Sequence, residues 1–437
     1  MPAGLYQIEA ELAQRLPCLP QAQVSGLTLW VYGLLLSGNA CMNGVLTALV
    51  LQGRGALQGQ HRKRLWNSLR QRLREWLRDG SDKSRPCESD VDVQACHAPL
   101  LRWVLDWLQL ATGEPLFLAV DATTIKQRLT ILVVSVLYRG CAIPVAWKVL
   151  PGNTKGRWTE RLCELLSGLR PAVAPHVHRF PVLVLGDRGL WSPKLFRHIK
   201  RLGWHPFLRV QSDTLFRPAS PAVPTAGATG RPCRADKLLA PGQAWVGRGI
   251  AFRDRPRWLK ATLVALWLPG EKEPCLVLTD LRPRRVGVCW YGLRTWIECG
   301  FRALKSFGWQ IEHTRRTDCA RVERHWLALA IATLFVLAGG TRTEQAERTE
   351  QAERTEQAAP VKVRGYTESM QRTGHTDRTA FRLVSVFRLG MFVLQSQLLR
   401  GRMWKRWRLV PQPAAPPPPG IRITYHQGFP AVATGYT

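Results

Sequence analysis

Between residues 116 and 150 the chain passes through three apolar runs separated only by short polar breaks, and few folds accept that pattern. The first run, 116–120, follows Pro115; the second, 129–137, is rich in β-branched residues; the third occupies 142–150. Apolar runs of this kind read as strands of a meander, buried on both faces at its centre. A helical period follows at 159–169, then a buried strand at 182–185, a helix at 191–202 entered through Ser192 and Pro193, and a strand at 206–210. The order strand-strand-strand-helix-strand-helix-strand predicts an α/β fold whose mixed sheet begins antiparallel.

Around this centre the chain divides into five stretches. Residues 1–110 read as helical. Within them Leu65, Leu69, Leu73, Trp76 and Leu77 mark one face of a helix, while Arg62, Lys63, Arg64, Arg70, Arg72, Arg74 and Arg78 share the rest with a single acid, Glu75. A solvated helix surface normally mixes signs for i, i+4 pairing; this one suits phosphate contacts. The α/β core spans 111–210, and 211–290 reads as a β-rich insertion that includes a Pro/Ala/Gly/Thr loop at 218–232. Helices return within 291–340, at 291–306 and 322–337. The last stretch, 341–437, opens with the hexapeptide repeat Arg-Thr-Glu-Gln-Ala-Glu at 342–358 and ends with a basic segment (Arg400, Arg402, Lys405, Arg406, Arg408) and a Pro-rich run at 411–419. A period of six matches neither 3.6 nor 3.5, so the repeat reads as an exposed, at most transiently helical expansion.

Charge narrows the partners. Lys and Arg number 62 against 31 acids, a formal charge of +31 with a pI near 10.7. At 46% hydrophobic residues the chain builds real cores, so this excess is not that of a disordered basic tail. Repulsion on that scale calls for a polyanion, and nucleic acid is favoured over an anionic membrane. The longest apolar runs, at 27–36, 129–137 and 327–338, fall short of the roughly 18–20 residues needed to span a bilayer. No signal peptide is evident, and the eleven cysteines are scattered without any C-x-x-C spacing. Free thiols in a reducing, cytoplasmic setting are expected, with no membrane partner.

The scarce acids are placed with purpose. The run 116–120 leads directly into Asp121, and 182–185 leads through Gly186 into Asp187. Ligand and catalytic sites of α/β sheets collect at such strand ends. On a helix begun at Tyr291, Arg294, Glu298, Arg302 and Lys305 fall with it inside a stripe about 80° wide at roughly 100° per residue. A surface ion pair accounts for Arg294 and Glu298 but not for the stripe. Two strand-end carboxylates and one helix carboxylate could hold two Mg²⁺ ions about 4 Å apart for phosphodiester chemistry. Arg294, Arg302 and Lys305 would then hold DNA phosphates, and Tyr291 could hydrogen-bond one.

Tyr291, Arg294, Glu298 and Lys305 form the pattern Tyr-x2-Arg-x3-Glu-x6-Lys, which resembles the signature of a large group of DDE transposases from bacterial insertion sequences. Asp121 in Val-Asp-Ala-Thr-Thr and Asp187 in Gly-Asp-Arg-Gly-Leu resemble that group's two aspartate motifs, in order, and the likeness covers about residues 115–338. The resemblance implies an RNase H-like mixed sheet in two parts, 111–210 and 291–340, interrupted by the β-rich insertion at 211–290 and preceded by a helical DNA-binding domain at 1–110. It implies Asp121, Asp187 and Glu298 as the metal-binding catalytic triad, for Mg²⁺ with Mn²⁺ able to substitute. Tyr291, Arg294 and Lys305 would help hold the transposon end, with Arg302 beside them. The implied reaction is hydrolysis at the element's terminal inverted repeats, then attack of the freed 3′-hydroxyl on target DNA, in cut-and-paste fashion. A homodimer assembled on double-stranded DNA and a nucleoid-associated cytoplasmic location follow from the same likeness. Two alternatives stay open: a non-catalytic DNA-binding protein of transposase descent, and an RNase H-like nuclease that cuts without specific ends.

Overall fold

The computed structural model describes residues 2–426 apart from 53–59, 84–89, 153, 155, 157, 220–231, 253–257, 358–383, 404–405 and 413–415, and the backbone alone for 351–357. Most of the 218–232 loop, Cys87, Lys405 and part of the Pro-rich run therefore lie outside the described residues.

Four helices, α1 (Ala3–Arg15), α2 (Gln21–Ser37), α3 (Met42–Gln52) and α4 (Gln60–Leu77), open the chain. α2 is apolar nearly all round, which only a helix enclosed by others tolerates, and twelve of its residues are buried. α4 rests on it: Trp76 Nε1 donates to the Gln23 carbonyl at 2.9 Å and Trp30 Nε1 to that of Leu73 at 3.1 Å. Leu73, Trp76 and Leu77 are buried, and Arg62, Lys63, Arg64, Arg70, Arg72 and Arg74 are exposed on the rest of the helix. Beyond it, α5 (Val93–Leu108) starts at Asp92, whose carboxylate caps the Gln94 and Ala95 amides.

α5 leads to the meander β1 (Leu116–Ile125), β2 (Leu129–Tyr138) and β3 (Cys141–Pro151), antiparallel as the sequence predicts. Arg139 and Gly140 make the β2–β3 turn with φ of 46° and 78°, the positive pair a two-residue hairpin requires. α6 (Trp158–Val173) carries the chain to β4 (Val182–Gly186), parallel to β1, and α7 (Pro193–Arg201), capped by Ser192, carries it to β5 (His205–Arg209), parallel to β4. The stretch 211–290 is not a separate layer. Its strands β6 (Leu215–Pro218), β7 (Cys233–Arg234), β8 (Gln243–Ala251), β9 (Leu259–Trp267) and β10 (Cys275–Thr279) continue the same sheet from β5, in the order β3-β2-β1-β4-β5-β10-β9-β8-β6-β7.

α8 (Thr295–Lys305) lies against β3, with Gly300 next to Ala142, and α9 (Cys319–Gln357) runs through the core between the sheet and the N-terminal helices. The sequence reading found no segment long enough to span a membrane; α9 has one by length and composition, but 89% of that window is buried inside the protein. Packing on α2, α5 and β3 explains its apolar character as that of a core helix.

The repeat is corrected by the structure. Described here through its first copy and into the second with side chains, it continues α9 and is not wholly exposed. Glu344 of the first copy accepts from Arg139 at 2.8 Å with both side chains nearly buried, and Thr341 just before it contacts the Tyr138 hydroxyl at 2.5 Å. Six residues turn a helix by about 600°, or 240° net, so the next copy points elsewhere, and Glu350 is exposed. Further on, α10 (Val386–Leu399) packs directly on α9. A Cβ on Gly390 would lie 1.8 Å from the Val336 carbonyl oxygen, and one on Gly340 would lie 2.0 Å from that of Val386. Trp407 then stacks on Trp107, and β11 (Arg422–His426) pairs parallel to β8.

Candidate active site

β1 and β4 are adjacent and parallel, with Val120 opposite Gly186, so Asp121 and Asp187, one residue further on, emerge side by side. Asp121 does not close its strand as the sequence reading expected but stands inside β1, opposite Val133 of β2, because the strand runs on to Ile125. That neighbourhood is a consequence of sheet order alone. The third acid, Glu298, stands in the first turn of α8.

The segment carrying the basic stripe departs from the sequence reading at its start. Trp290–Arg294 is a 3-10 turn, and the α-helix begins only at Thr295. Residues three apart eclipse one another in such a turn, so Tyr291 and Arg294 still share a face. Trp290 holds the turn down, packed on Phe117 and Phe207 with ring centres 5.6 Å and 6.3 Å away. From it the Tyr291 hydroxyl donates to Asp187 Oδ1 at 3.2 Å.

Arg294 is the hub. Its Nη2 donates to Asp121 Oδ2 at 2.7 Å and lies 3.9 Å from Asp187 Oδ2, while Nη1 donates to Glu298 Oε1 at 2.7 Å. One guanidinium thus hydrogen-bonds two acids and stands within ion-pair range of a third, from three separate stretches of chain. Burial raises the Asp121 pKa; Arg294 and the Ala122 amide oppose that rise, and Asp187 and Glu298 add to it. Burial also works against the charge on Arg294, yet Asp121, Tyr291, Asp187 and Glu298 outweigh it and raise its pKa. Burial and the neighbouring Asp187 push the Tyr291 phenol up as well, so it stays a donor.

The other two cations of the stripe do not join this hub by any contact. Lys305 Nζ pairs with Glu312 at 3.5 Å, and Arg302 is exposed on α8. Trp296 lines an apolar hollow of about 250 Å³ with Phe117, Trp290 and Leu293. Sequence reasoning missed a second basic group. Arg209, at the end of β5, sits 3.9 Å from Asp187 Oδ1 and 3.5 Å from Glu273, which also pairs with Arg188 at 3.1 Å. A signal existed: 206–210 is the strand after the one that ends in Asp187, and an arginine stands at its end.

All three acids offer hard oxygen donors, the chemistry that suits Mg²⁺ or Mn²⁺. Among the described residues, however, no three acidic, histidine or cysteine side chains are drawn close enough to form a ready metal shell. The acids fit such an ion in kind and share one cationic neighbour, but it is the Arg294 side chain that gathers them here.

A family model of the transposase DDE domain matches residues 112–335, just over half of the 437-residue chain. The chain belongs to the DDE transposase family. The match starts just before β1, takes in every residue of the cluster around Arg294 and stops inside α9. The mixed sheet with its preceding helices is accordingly an RNase H-like transposase domain with an N-terminal helical layer. Membership implies a transposase-type function on DNA, in a family that generally uses divalent metal. No curated protein matches the chain.

Proposed function

We propose that the chain cleaves DNA at the terminal inverted repeats of its element and transfers the freed 3′-hydroxyl to target DNA. The observation that supports this most is the meeting of Asp121, Asp187 and Glu298 around one guanidinium, from the middle of one strand, the end of its neighbour and a helix. On this reading these three carboxylates would hold the divalent metal, Mg²⁺ with Mn²⁺ as substitute. When bound, such metal supplies Lewis acidity for the attacking and leaving oxygens of an in-line displacement. The protein's own part is placement. β1 and β4 fix Asp121 and Asp187 on rigid neighbouring strands, and Tyr291 orients the Asp187 carboxylate through its hydroxyl. Arg294 offsets the mutual repulsion of the acids, so that the site can be assembled before DNA arrives.

Exposed Arg302, together with Lys305, faces the task of holding the end's phosphates, and the outer face of α4 adds a sequence-independent grip on the duplex. A homodimer on DNA would hold both ends, in a nucleoid-associated, cytoplasmic setting. The saturation of the acids by Arg294 favours one rival, a DNA-binding protein without chemistry. Glu298→Gln separates the two. Mg²⁺-dependent cleavage of a labelled DNA end carrying the flanking inverted repeat should vanish while binding persists. Undiminished cleavage by the variant would remove Glu298 from the mechanism, and no cleavage by the unaltered protein in Mg²⁺ or Mn²⁺ would favour the rival.

A further inference from the structure

Far from the acid cluster, two thiols face one another. Cys18 lies in the turn between α1 and α2, and Cys96 lies in the first turn of α5; their sulfurs are 3.6 Å apart across 78 residues of chain. Cys18 is exposed and Cys96 is fully buried. The turn is short and anchored: Leu16 and Leu19 on either side of Cys18 are buried, and Pro17 and Pro20 restrict its backbone. Cys96 is likewise fixed, with its thiol 3.3 Å from the Asp92 carbonyl in a capped helix.

We propose that Cys18 and Cys96 are a redox pair, which a peroxide oxidant closes into a reversible disulfide that staples the turn before α2 to α5. A disulfide needs about 2.05 Å between sulfurs, so closure asks for roughly 1.5 Å of approach, within reach of side-chain rotation and a small shift of the turn. The pair is chemically unequal in the useful sense. The hydrogen bond from Cys96 lowers the Cys18 thiol to about 7 against the opposing effect of burial, whereas Cys96 is held protonated. The exposed Cys18 thiolate attacks one oxygen of hydrogen peroxide, breaking the O–O bond and giving a sulfenic acid with loss of hydroxide. Cys96 then attacks that sulfur as its proton leaves; the S–O bond breaks and water departs. In sum two thiols are oxidised to a disulfide while one peroxide is reduced to two waters. The bond would tie α2, on which basic α4 rests, to the helix that leads into β1.

The test uses the full chain, reduced and then treated with limiting hydrogen peroxide. Fragment-resolved mapping without reductant should find Cys18 joined to Cys96, two hydrogens lighter than the thiols and restored by dithiothreitol. Oxidised protein should melt several degrees above reduced protein, and Cys18→Ser, an exposed substitution, should abolish both the linkage and the shift. Conversion of Cys18 to sulfinic acid without linkage, equally fast linkage of Cys18 to another cysteine, or the same melting shift in Cys18→Ser would each overturn the proposal.

Discussion

The acid cluster between the middle of β1 and the end of β4 and the outer face of α4 are both charge surpluses, opposite in sign and opposite in construction. At the first, three carboxylates share one guanidinium, with Asp121 and Arg294 side chains only 15% and 12% exposed. At the second, six cations stand in water along one helix, near one acid of their own, Glu75. Charges taken out of water interact strongly and cost much if unbalanced, so Asp121 and Arg294 matter singly, while Glu298 reaches them from an exposed helix face. Charges left in water are screened within about 10 Å, so the second group acts only in sum. The contrast also separates chemistry from grip: a tight cluster of acids calls for a cation, and an exposed surplus of bases calls for a polyanion.

Substitutions should divide along that line. The largest effect is expected from Glu298→Gln, which leaves shape but removes one carboxylate. Cleavage should fall by more than about 10³-fold, worth about 4 kcal/mol on the barrier, with DNA affinity nearly unchanged in a gel-shift titration. An equal loss of affinity and cleavage would erase the distinction between the two regions. Next, joint replacement of Arg70, Arg72 and Arg74 by Ala should weaken binding about 10²-fold at low salt. The salt dependence of the binding constant should become shallower by up to about 3 units of slope, with the metal requirement intact. A salt slope that does not move would place the DNA elsewhere.

The smallest expected effect has the opposite sign. Burial raises the Asp121 pKa in the folded state above its unfolded value. Its cost to stability is therefore absent in acid, where both states are protonated, and appears as pH rises through the raised value. At neutral pH Asp121→Asn should remove that cost, so the variant should melt slightly higher, by about 1–2 °C, while losing cleavage. The gain should fade as the buffer is taken below the ordinary carboxylate range; a gain that persists there would trace to packing instead.

Much of the α/β core was legible because its signals are local. Strand periods, the Ser192 cap and the acids that close two buried runs each depend on a few consecutive residues. The basic face of α4 was legible for the same reason. The 3-10 turn at Tyr291 was not, since eclipsed i, i+3 residues mimic one face of an α-helix. Nor was the packing of the tail. Gly340 and Gly390 look like ordinary helix-weakening glycines until two backbones approach through them. The repeat was read by its period, whereas Glu344 of its first copy is held by the buried Arg139, 205 residues away along the chain.

By itself, then, the sequence determined that Asp121 and Asp187 each follow a buried apolar run, that the sheet is mixed, and that the charge excess suits a polyanion. Only the tertiary structure decided that Asp121 and Asp187 are neighbours, that Arg294 reaches all three acids, and that Lys305 spends its charge on Glu312. The reason is range. Periods and caps are set over a few residues, but Tyr291 meets Asp187 across 104 residues and Arg294 meets Asp121 across 173, through a strand order that no local pattern encodes.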